Sequence, residues 1–295
     1  MALLIITTIL WAFSFSLIGE YLAGSVDSYF SVLMRVGLAA LVFLPFLRTR
    51  GQSPRTIVLY MLVGAMQLGI MYLLAFRAYL YLTVSEFLLF TVFTPLYITL
   101  IYDLLSGRKL RWGYLLSAAL AVLGAAIIRY DKVSDHFWTG LLLVQLSNLC
   151  FAIGMVGYKR LMEVRPMPQH NAFAWFYVGA FIVAVAAWFM LGNAQKLPTT
   201  TLQWSVLVWL GVVASGLGYF MWNYGATQVD AGTLGIMNNV HVPAGLLVNL
   251  AIWQEQPHWP SFISGALVIL ASLWVHRRWV APHSGQTADD RRRGS

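Results

Sequence analysis

Apolar runs of about 20 residues follow one another through almost the whole of this 295-residue chain. Each run is long enough to cross a bilayer as an α-helix and too long for a β-barrel strand. Hydrophobic residues make up 59% of the chain and charged residues only 10%, against about 25% in soluble domains. A soluble core cannot bury that much apolar surface, so we predict an all-α integral membrane protein. The ten predicted transmembrane helices span residues 2–23, 28–47, 56–76, 82–104, 112–129, 138–158, 171–191, 202–226, 231–253 and 260–279.

The distribution of Lys and Arg predicts how these helices are oriented. Most basic residues lie in the connections near residues 50, 110 and 162 and in the segment after residue 276. Basic connections stay on the cytoplasmic side of bacterial membranes, which predicts an inner-membrane protein with both termini in the cytoplasm. The same bias accounts for the net charge of +8, so this charge does not indicate a nucleic acid partner.

The two halves of the chain share a pattern of residues at fixed spacing. Three positions of the first half, Gly64, Gly69 and Tyr72, recur in the second half as Gly211, Gly216 and Tyr219. The basic connections, in contrast, fall at non-equivalent places in the two halves. An odd number of crossings per copy produces this result, because it places the copies in opposite orientations. We therefore predict a five-helix repeat over residues 1–133, an inverted five-helix repeat over 134–280 and a disordered cytoplasmic tail over 281–295.

Inverted repeats of this kind are typical of transporters that open alternately to the two sides of a membrane. A proline lies in the middle of the fourth helix of each predicted repeat, at Pro95 and Pro243. Each proline removes a main-chain hydrogen bond, which is compatible with a hinge or with a static bend.

Polar and aromatic side chains recur on single faces of several predicted helices, and polar groups within a bilayer require a reason. We predict that these faces line a central cavity for an amphipathic organic solute. The alternative is that the aromatic rings pack against lipid or other helices. The candidate substrate-binding residues are Trp11, Ser14, Tyr72, Phe76, Tyr79, Glu86, Phe90, Thr94, Tyr97, Gln145, Asn148, Tyr219, Trp222, Asn223, Asn238, Asn239 and His241.

Two ionisable residues within predicted helices have more than one interpretation. Arg35 lies about two turns inside its helix and needs a partner, which Glu20 or Glu86 could supply as a structural ion pair or a periplasmic gate. Glu86 could alternatively carry a coupling proton.

Motifs for catalysis and for nucleotide binding do not occur in the sequence. The six histidines are scattered, and there is no HExxH, GxSxG or CxxC motif and no phosphate-binding glycine loop. We therefore predict that the chain is not an enzyme and uses no cofactor and no metal. The predicted partners are a small-molecule substrate and membrane lipid, with the chain acting as a monomer or a homodimer.

Three segments resemble the drug/metabolite transporter superfamily, and in particular its EamA-type ten-helix permeases. Residues 33–47 are similar to the second helix of that family, residues 85–110, with Thr94-Pro95, to its fourth helix, and residues 216–229 to its eighth. The resemblance implies two inverted five-helix repeats, cytoplasmic termini and export of metabolites. The richness in Trp, Tyr and Phe most resembles the YddG-type exporters of aromatic amino acids. Export of amino acids, most of all aromatic ones, is therefore the expected function, and export of amphipathic drugs, nucleosides or lipid-linked sugars is the alternative.

Overall fold

The computed structural model describes residues 2–105 and 135–229, together with separate positions between 116 and 127 and between 234 and 274. This described part is helical and contains no β-strand. Seven of its helices are long and apolar enough to cross a membrane: α1 (Ala2–Tyr21), α2 (Ser28–Phe46), α3 (Pro54–Ala78), α4 (Val84–Leu105), α5 (His136–Val164), α6 (Gln169–Leu191) and α7 (Thr201–Thr227). A π-helical segment, Asn249–Trp253, lies further along the chain. The predicted helix at 112–129 and much of those at 231–253 and 260–279 fall outside the described residues.

Short polar residues begin several of the apolar helices. At the start of α2, the carboxylate of Asp27 accepts a hydrogen bond from the main-chain N–H of Phe30. At the start of α4, Thr83 and Glu86 form a reciprocal capping box, in which each side chain accepts from the other residue's N–H. These contacts satisfy donors that the first turn of a helix leaves free, so local sequence defines where the spans begin.

Three helices are interrupted within their spans. In α4 the helix breaks at residues 92–93, just before Pro95, which has no N–H to offer to the carbonyl of Thr91. The hydroxyl of Thr94 donates to that carbonyl instead, at 2.7 Å. The helices α3 and α7 each contain a π-helical segment, Ala65–Ile70 and Leu210–Leu217, at positions that the internal pattern relates to each other.

The helix α5 is longer than the sequence predicts, because helix continues over Asp135–Val164 and not only over residues 138–158. Its extension carries charged residues at helical spacing, and Arg160 and Lys159 lie 2.8 and 3.9 Å from the carboxylate of Glu163. Such pairs stabilise a helix beyond its apolar stretch. The Lys159 ammonium also donates to two main-chain carbonyls at the end of α7, at 2.9 and 3.2 Å.

The helices pack so that six of them surround one interior space. The helix α6 packs outside this space against α2 and α3, while α5 contacts α3 and α4, and α1 contacts α7. The α3–α6 contact needs glycine on both sides, because a Cβ on Gly64 would overlap the carbonyl of Phe176 and a Cβ on Gly179 would overlap that of Met61. Small residues permit such close approach of helices in a membrane.

Candidate substrate cavity

An interior cavity of about 650 Å³ lies between α1, α2, α3, α4, α5 and α7. Most of its wall is apolar, with a few hydroxyl, amide and guanidinium groups. The lining residues are Trp11, Ser14, Phe15, Ile18, Arg35, Met71, Tyr72, Ala75, Phe76, Tyr79, Phe87, Thr91, Thr94, Ser147, Asn148, Phe151, Tyr219 and Asn238.

Aromatic rings form a large part of the cavity wall and contact one another. The ring of Trp11 lies 4.6 Å from that of Tyr219 and 6.3 Å from that of Phe151, measured between centroids. Two further lining residues, Tyr79 and Phe87, stack at 4.3 Å. The indole N–H of Trp11 also donates to the carbonyl of Ala214 at 3.0 Å, within the π-helical segment of α7. These contacts hold the rings in place, so the wall is a pre-formed surface for a flat or bicyclic apolar solute.

Arg35 is the one formally charged residue among the described residues that line the cavity. Its side chain is 3% exposed, its Nε donates to the hydroxyl of Ser215 at 2.6 Å, and its guanidinium lies 4.2 Å from the ring centroid of Tyr72. The Tyr72 hydroxyl is also hydrogen-bonded to that of Ser215, at 2.9 Å. The expected ion pair with Glu20 or Glu86 is not formed, because no carboxylate of the described residues lies within 4 Å of Arg35.

The guanidinium of Arg35 thus keeps hydrogen-bonding capacity toward the cavity. Its terminal nitrogens, Nη1 and Nη2, donate to no described residue. Among the described residues, this buried cation contacts a hydroxyl and the rings of Tyr72 and Phe76. It is well suited to pair with an organic anion, because the guanidinium fork matches a carboxylate. The guanidinium of Arg35 and the aromatic wall therefore indicate a cavity for an organic anion with an apolar body.

Amides form a second polar region of the cavity. The Nδ2 of Asn148 donates to the carbonyl of Phe90 at 2.9 Å, and the Nε2 of Gln145 donates to the same carbonyl at 3.2 Å. Tyr97 donates to Gln145 at 3.0 Å. These bonds fix Asn148 against α4, close to the break before Pro95. Asn238 also lines the cavity, is 2% exposed, and its Nδ2 has no acceptor among the described residues.

The predicted site residues are divided among several places. Those that line the cavity are Trp11, Ser14, Tyr72, Phe76, Tyr79, Thr94, Asn148, Tyr219 and Asn238. Phe90, Tyr97 and Gln145 lie behind Asn148 and support it. Asn239 and His241 lie outside the described residues.

The three other predicted residues form contacts away from the lining. Trp222 packs on Trp11 at 5.0 Å, and its N–H lies 3.2 Å from the sulfur of Met155. Asn223 forms two reciprocal hydrogen bonds with Gln67, at 2.9 and 3.0 Å. Glu86 belongs to the capping box of α4. A role in substrate binding remains a prediction for every residue of the predicted set.

Several lining residues were not among the predicted site. Ser147 and Phe151 flank Asn148 on α5, and helical periodicity relates Phe151 to Asn148 as neighbours on one face. Phe87 lies one turn before Phe90 on α4, and it lines the cavity with Thr91 and Thr94 at helical spacing, whereas Phe90 does not. Arg35 was recognised as unusual, and only the packing of α2 against α7 shows that its partner is a hydroxyl.

Apolar helices of bilayer length around a cavity with an aromatic wall define a multi-pass membrane protein that can hold a small organic solute. The sequence profile of the EamA-like transporter family matches residues 1–130 and 138–277. The chain belongs to this family. It is therefore a membrane transporter, and the prediction that it is not an enzyme is confirmed.

The relatives of this chain in other bacteria carry the following names. A "Biotin transporter" of Escherichia coli is 84% identical over 293 residues, which cover 99% of this chain and 98% of that protein. A "Probable biotin transporter" of Pseudomonas aeruginosa is 55% identical, covering 94% of this chain and 97% of that protein. A "Probable terminal-alkyne amino-acid exporter" of Streptantibioticus cattleyicolor is 20% identical, over 62% of this chain and 61% of that protein.

A solved structure has the same fold. It is a crystal structure that aligns with a TM-score of 0.65 and 17% sequence identity over 93% of this chain and 95% of its own. The family assignment confirms the expected EamA-type transporter. The relatives at 84% and 55% identity are named for biotin, however, and not for the aromatic amino acids that the aromatic content suggested.

Proposed function

We propose that this chain transports biotin across the bacterial inner membrane. The observation that carries the proposal is the buried guanidinium of Arg35 in the wall of an aromatic cavity. Two relatives that align over nearly their whole length and bear the name of biotin support the same substrate.

The chemistry of biotin is complementary to the cavity. At neutral pH its valerate chain ends in a carboxylate, which matches the free fork of Arg35. Its fused rings present apolar faces to the walls around Trp11 and Phe87. Its ureido group carries one carbonyl and two N–H groups, which amides such as Asn148 and Asn238 can bind. A buried carboxylate without a cationic partner would be strongly disfavoured, so Arg35 selects for an anion.

The proposed mechanism is alternating access between two inverted repeats. The first repeat spans residues 1–133, the second spans 134–280, and residues 281–295 form a cytoplasmic tail, with ten transmembrane helices and both termini in the cytoplasm. The separate family matches over 1–130 and 138–277 support this division. The cavity receives residues from both halves, so rocking of one half against the other would open it to either side.

Export of aromatic amino acids is the second candidate, and the aromatic wall of the cavity favours it. Such a substrate carries an ammonium group beside its carboxylate. The described lining contains no Asp or Glu to bind an ammonium, and Arg35 would repel it. The second candidate is therefore the weaker one. A nucleoside, from the third group of candidates, carries no anionic group for Arg35 to bind.

Flux of labelled biotin into and out of proteoliposomes tests the proposal. We expect saturable flux with the purified full-length chain, absent from protein-free vesicles and inhibited by unlabelled biotin but not by tryptophan or phenylalanine. Empty and preloaded vesicles measure uptake and efflux separately, which also tests the predicted export direction. Saturable tryptophan flux without biotin flux would overturn the proposal in favour of the second candidate.

A further inference from the structure

Two asparagines of the cavity have complementary hydrogen-bonding groups that no described residue uses. Asn148 donates through its Nδ2 to the carbonyl of Phe90, while its Oδ1 accepts no hydrogen bond from a described residue. Asn238 has the opposite free group, because its buried Nδ2 has no acceptor in the described part of the chain. Within the described residues, the oxygen of Asn148 therefore has no donor and the nitrogen of Asn238 has no acceptor.

The side chain of Asn238 is 2% exposed, so its donor cannot rely on bulk water for a partner. A buried polar group without a partner destabilises a protein unless something else satisfies it. The terminal torsion of asparagine is soft and roughly two-fold, so the Asn238 amide can turn toward a bound solute. A carbonyl oxygen of the substrate is the group that would complete its hydrogen bonding.

The hydrogen bonds of Asn148 determine which of its two amide atoms, Nδ2 or Oδ1, is available to the cavity. Its nitrogen is used by Phe90, whose carbonyl also accepts from Gln145. The side that remains for the cavity is thus an acceptor, and an N–H of the substrate is its natural partner. A cyclic urea offers a carbonyl and an N–H on adjacent atoms.

We infer that Asn238 and Asn148 recognise the ureido ring of the substrate, with Asn238 donating to the ureido carbonyl and Asn148 accepting from a ureido N–H. This inference rests on the proposed function, biotin transport, and assigns the residues that distinguish biotin from other carboxylates. Arg35 binds the carboxylate of the same molecule, so the substrate lies between a cationic pole and an amide pole.

The test compares biotin with 2-iminobiotin, in which the ureido carbonyl is replaced by an imine that presents N–H donors at neutral pH. Both compounds keep the carboxylate, the thiolane ring and the ring N–H groups. Binding of each to the purified full-length chain is measured by titration calorimetry. We expect the wild-type chain to prefer biotin by about 10-fold or more, because iminobiotin opposes a donor to the donor of Asn238.

Asn238→Leu should reduce this preference without abolishing it, because the positive charge of protonated iminobiotin still disfavours burial. Asn238→Asp should reverse the preference, because a carboxylate accepts from the iminium. Asn148→Ala should weaken the binding of both compounds by a similar factor, since both retain the ring N–H groups. The matched control is Asn171→Leu, which removes a buried amide that binds the main-chain N–H of Arg48 outside the cavity. This control should leave the preference unchanged.

An unchanged preference in folded Asn238→Leu would overturn the inference and leave biotin transport standing. If Asn238→Leu does not fold, the nearly isosteric Asn238→Asp decides, and failure to reverse the preference counts against the inference. A wild-type chain that binds neither compound would instead overturn the proposed function, and the inference would fall with it.

Discussion

Replacing Arg35 by Gln removes the positive charge from the described cavity wall and leaves a shorter, uncharged side chain that ends in an amide. In the structure, the Nε of Arg35 is held by Ser215 at 2.6 Å and its guanidinium lies on Tyr72 at 4.2 Å. The two terminal nitrogens remain for a substrate carboxylate. We therefore expect Arg35→Gln to weaken the binding of biotin and to leave the binding of uncharged analogues unchanged.

The expected size of this change in affinity follows from the strength of a charge-assisted hydrogen bond in a buried site. Hydrogen bonds to charged groups contribute about 1.5–3 kcal/mol net, which corresponds to about 10- to 150-fold in affinity. Biotin methyl ester lacks the carboxylate but keeps the rings and the ureido group. The wild-type chain should therefore bind biotin about 10- to 150-fold more tightly than the ester, and Arg35→Gln should bring this ratio close to one.

The assay is titration calorimetry on the purified full-length chain. The quantity compared is the ratio of the dissociation constants of biotin and its methyl ester. A ratio is insensitive to a general loss of stability, because such a loss affects both ligands. Arg35→Lys should give an intermediate ratio, since an ammonium keeps the charge but lacks the fork. Arg77→Gln is the matched control, because Arg77 lies at the end of α3 near the ring of Tyr29 and does not line the cavity. A wild-type ratio retained in Arg35→Gln would refute the reasoning.

Three further predictions follow from contacts outside the cavity lining. Glu86→Gln should preserve transport and its pH profile, because Gln also completes a capping box with Thr83; loss of pH dependence in this variant would instead identify Glu86 as a proton carrier. Gln67→Leu should lower the free energy of unfolding in detergent by about 1–3 kcal/mol, because it leaves Asn223 buried without its partner. The double change with Asn223→Leu should be less destabilising than the sum of the two single changes, and strict additivity would contradict this. Lys159→Met should increase the reactivity of a cysteine introduced at the end of α7, because the ammonium no longer holds two carbonyls there; unchanged labelling would show that these two bonds do not hold the end of α7 in place.

The sequence predicts the positions of the helices well in the described part of the chain. Hydropathy is a property of consecutive residues, so the spans at α1, α2, α3, α4, α6 and α7 agree with prediction within a few residues. The capping residues and Pro95 act through local hydrogen bonds, so the sequence also indicates where helices begin and where α4 breaks. The underestimate of α5 has a local cause too, because its extension is charged and helical pairs rather than hydropathy maintain it.

The cavity could be predicted only in part. Tyr72, Phe76 and Tyr79 recur on one face of α3 at helical spacing, and all three line the cavity. Tyr219, Trp222 and Asn223 are all polar or aromatic residues of α7 that the sequence predicts to line the cavity. Only Tyr219 does so, because α1 covers Trp222 and α3 covers Asn223. Periodicity indicates which residues share a face, but not which neighbouring helix covers that face.

The amino-acid sequence by itself determined that this protein lies in a membrane, where its helices begin and break, and that it belongs to a transporter family. Those properties depend on hydropathy, on hydrogen bonds between residues close in the chain, and on the pattern of residues along it. Only the tertiary structure decided that Arg35 contacts a hydroxyl and aromatic rings instead of a carboxylate of the described residues. It also decided that Asn148 and Asn238 have hydrogen-bonding groups that no described residue uses. Such contacts join residues far apart in the chain, and the packing of helix against helix determines them.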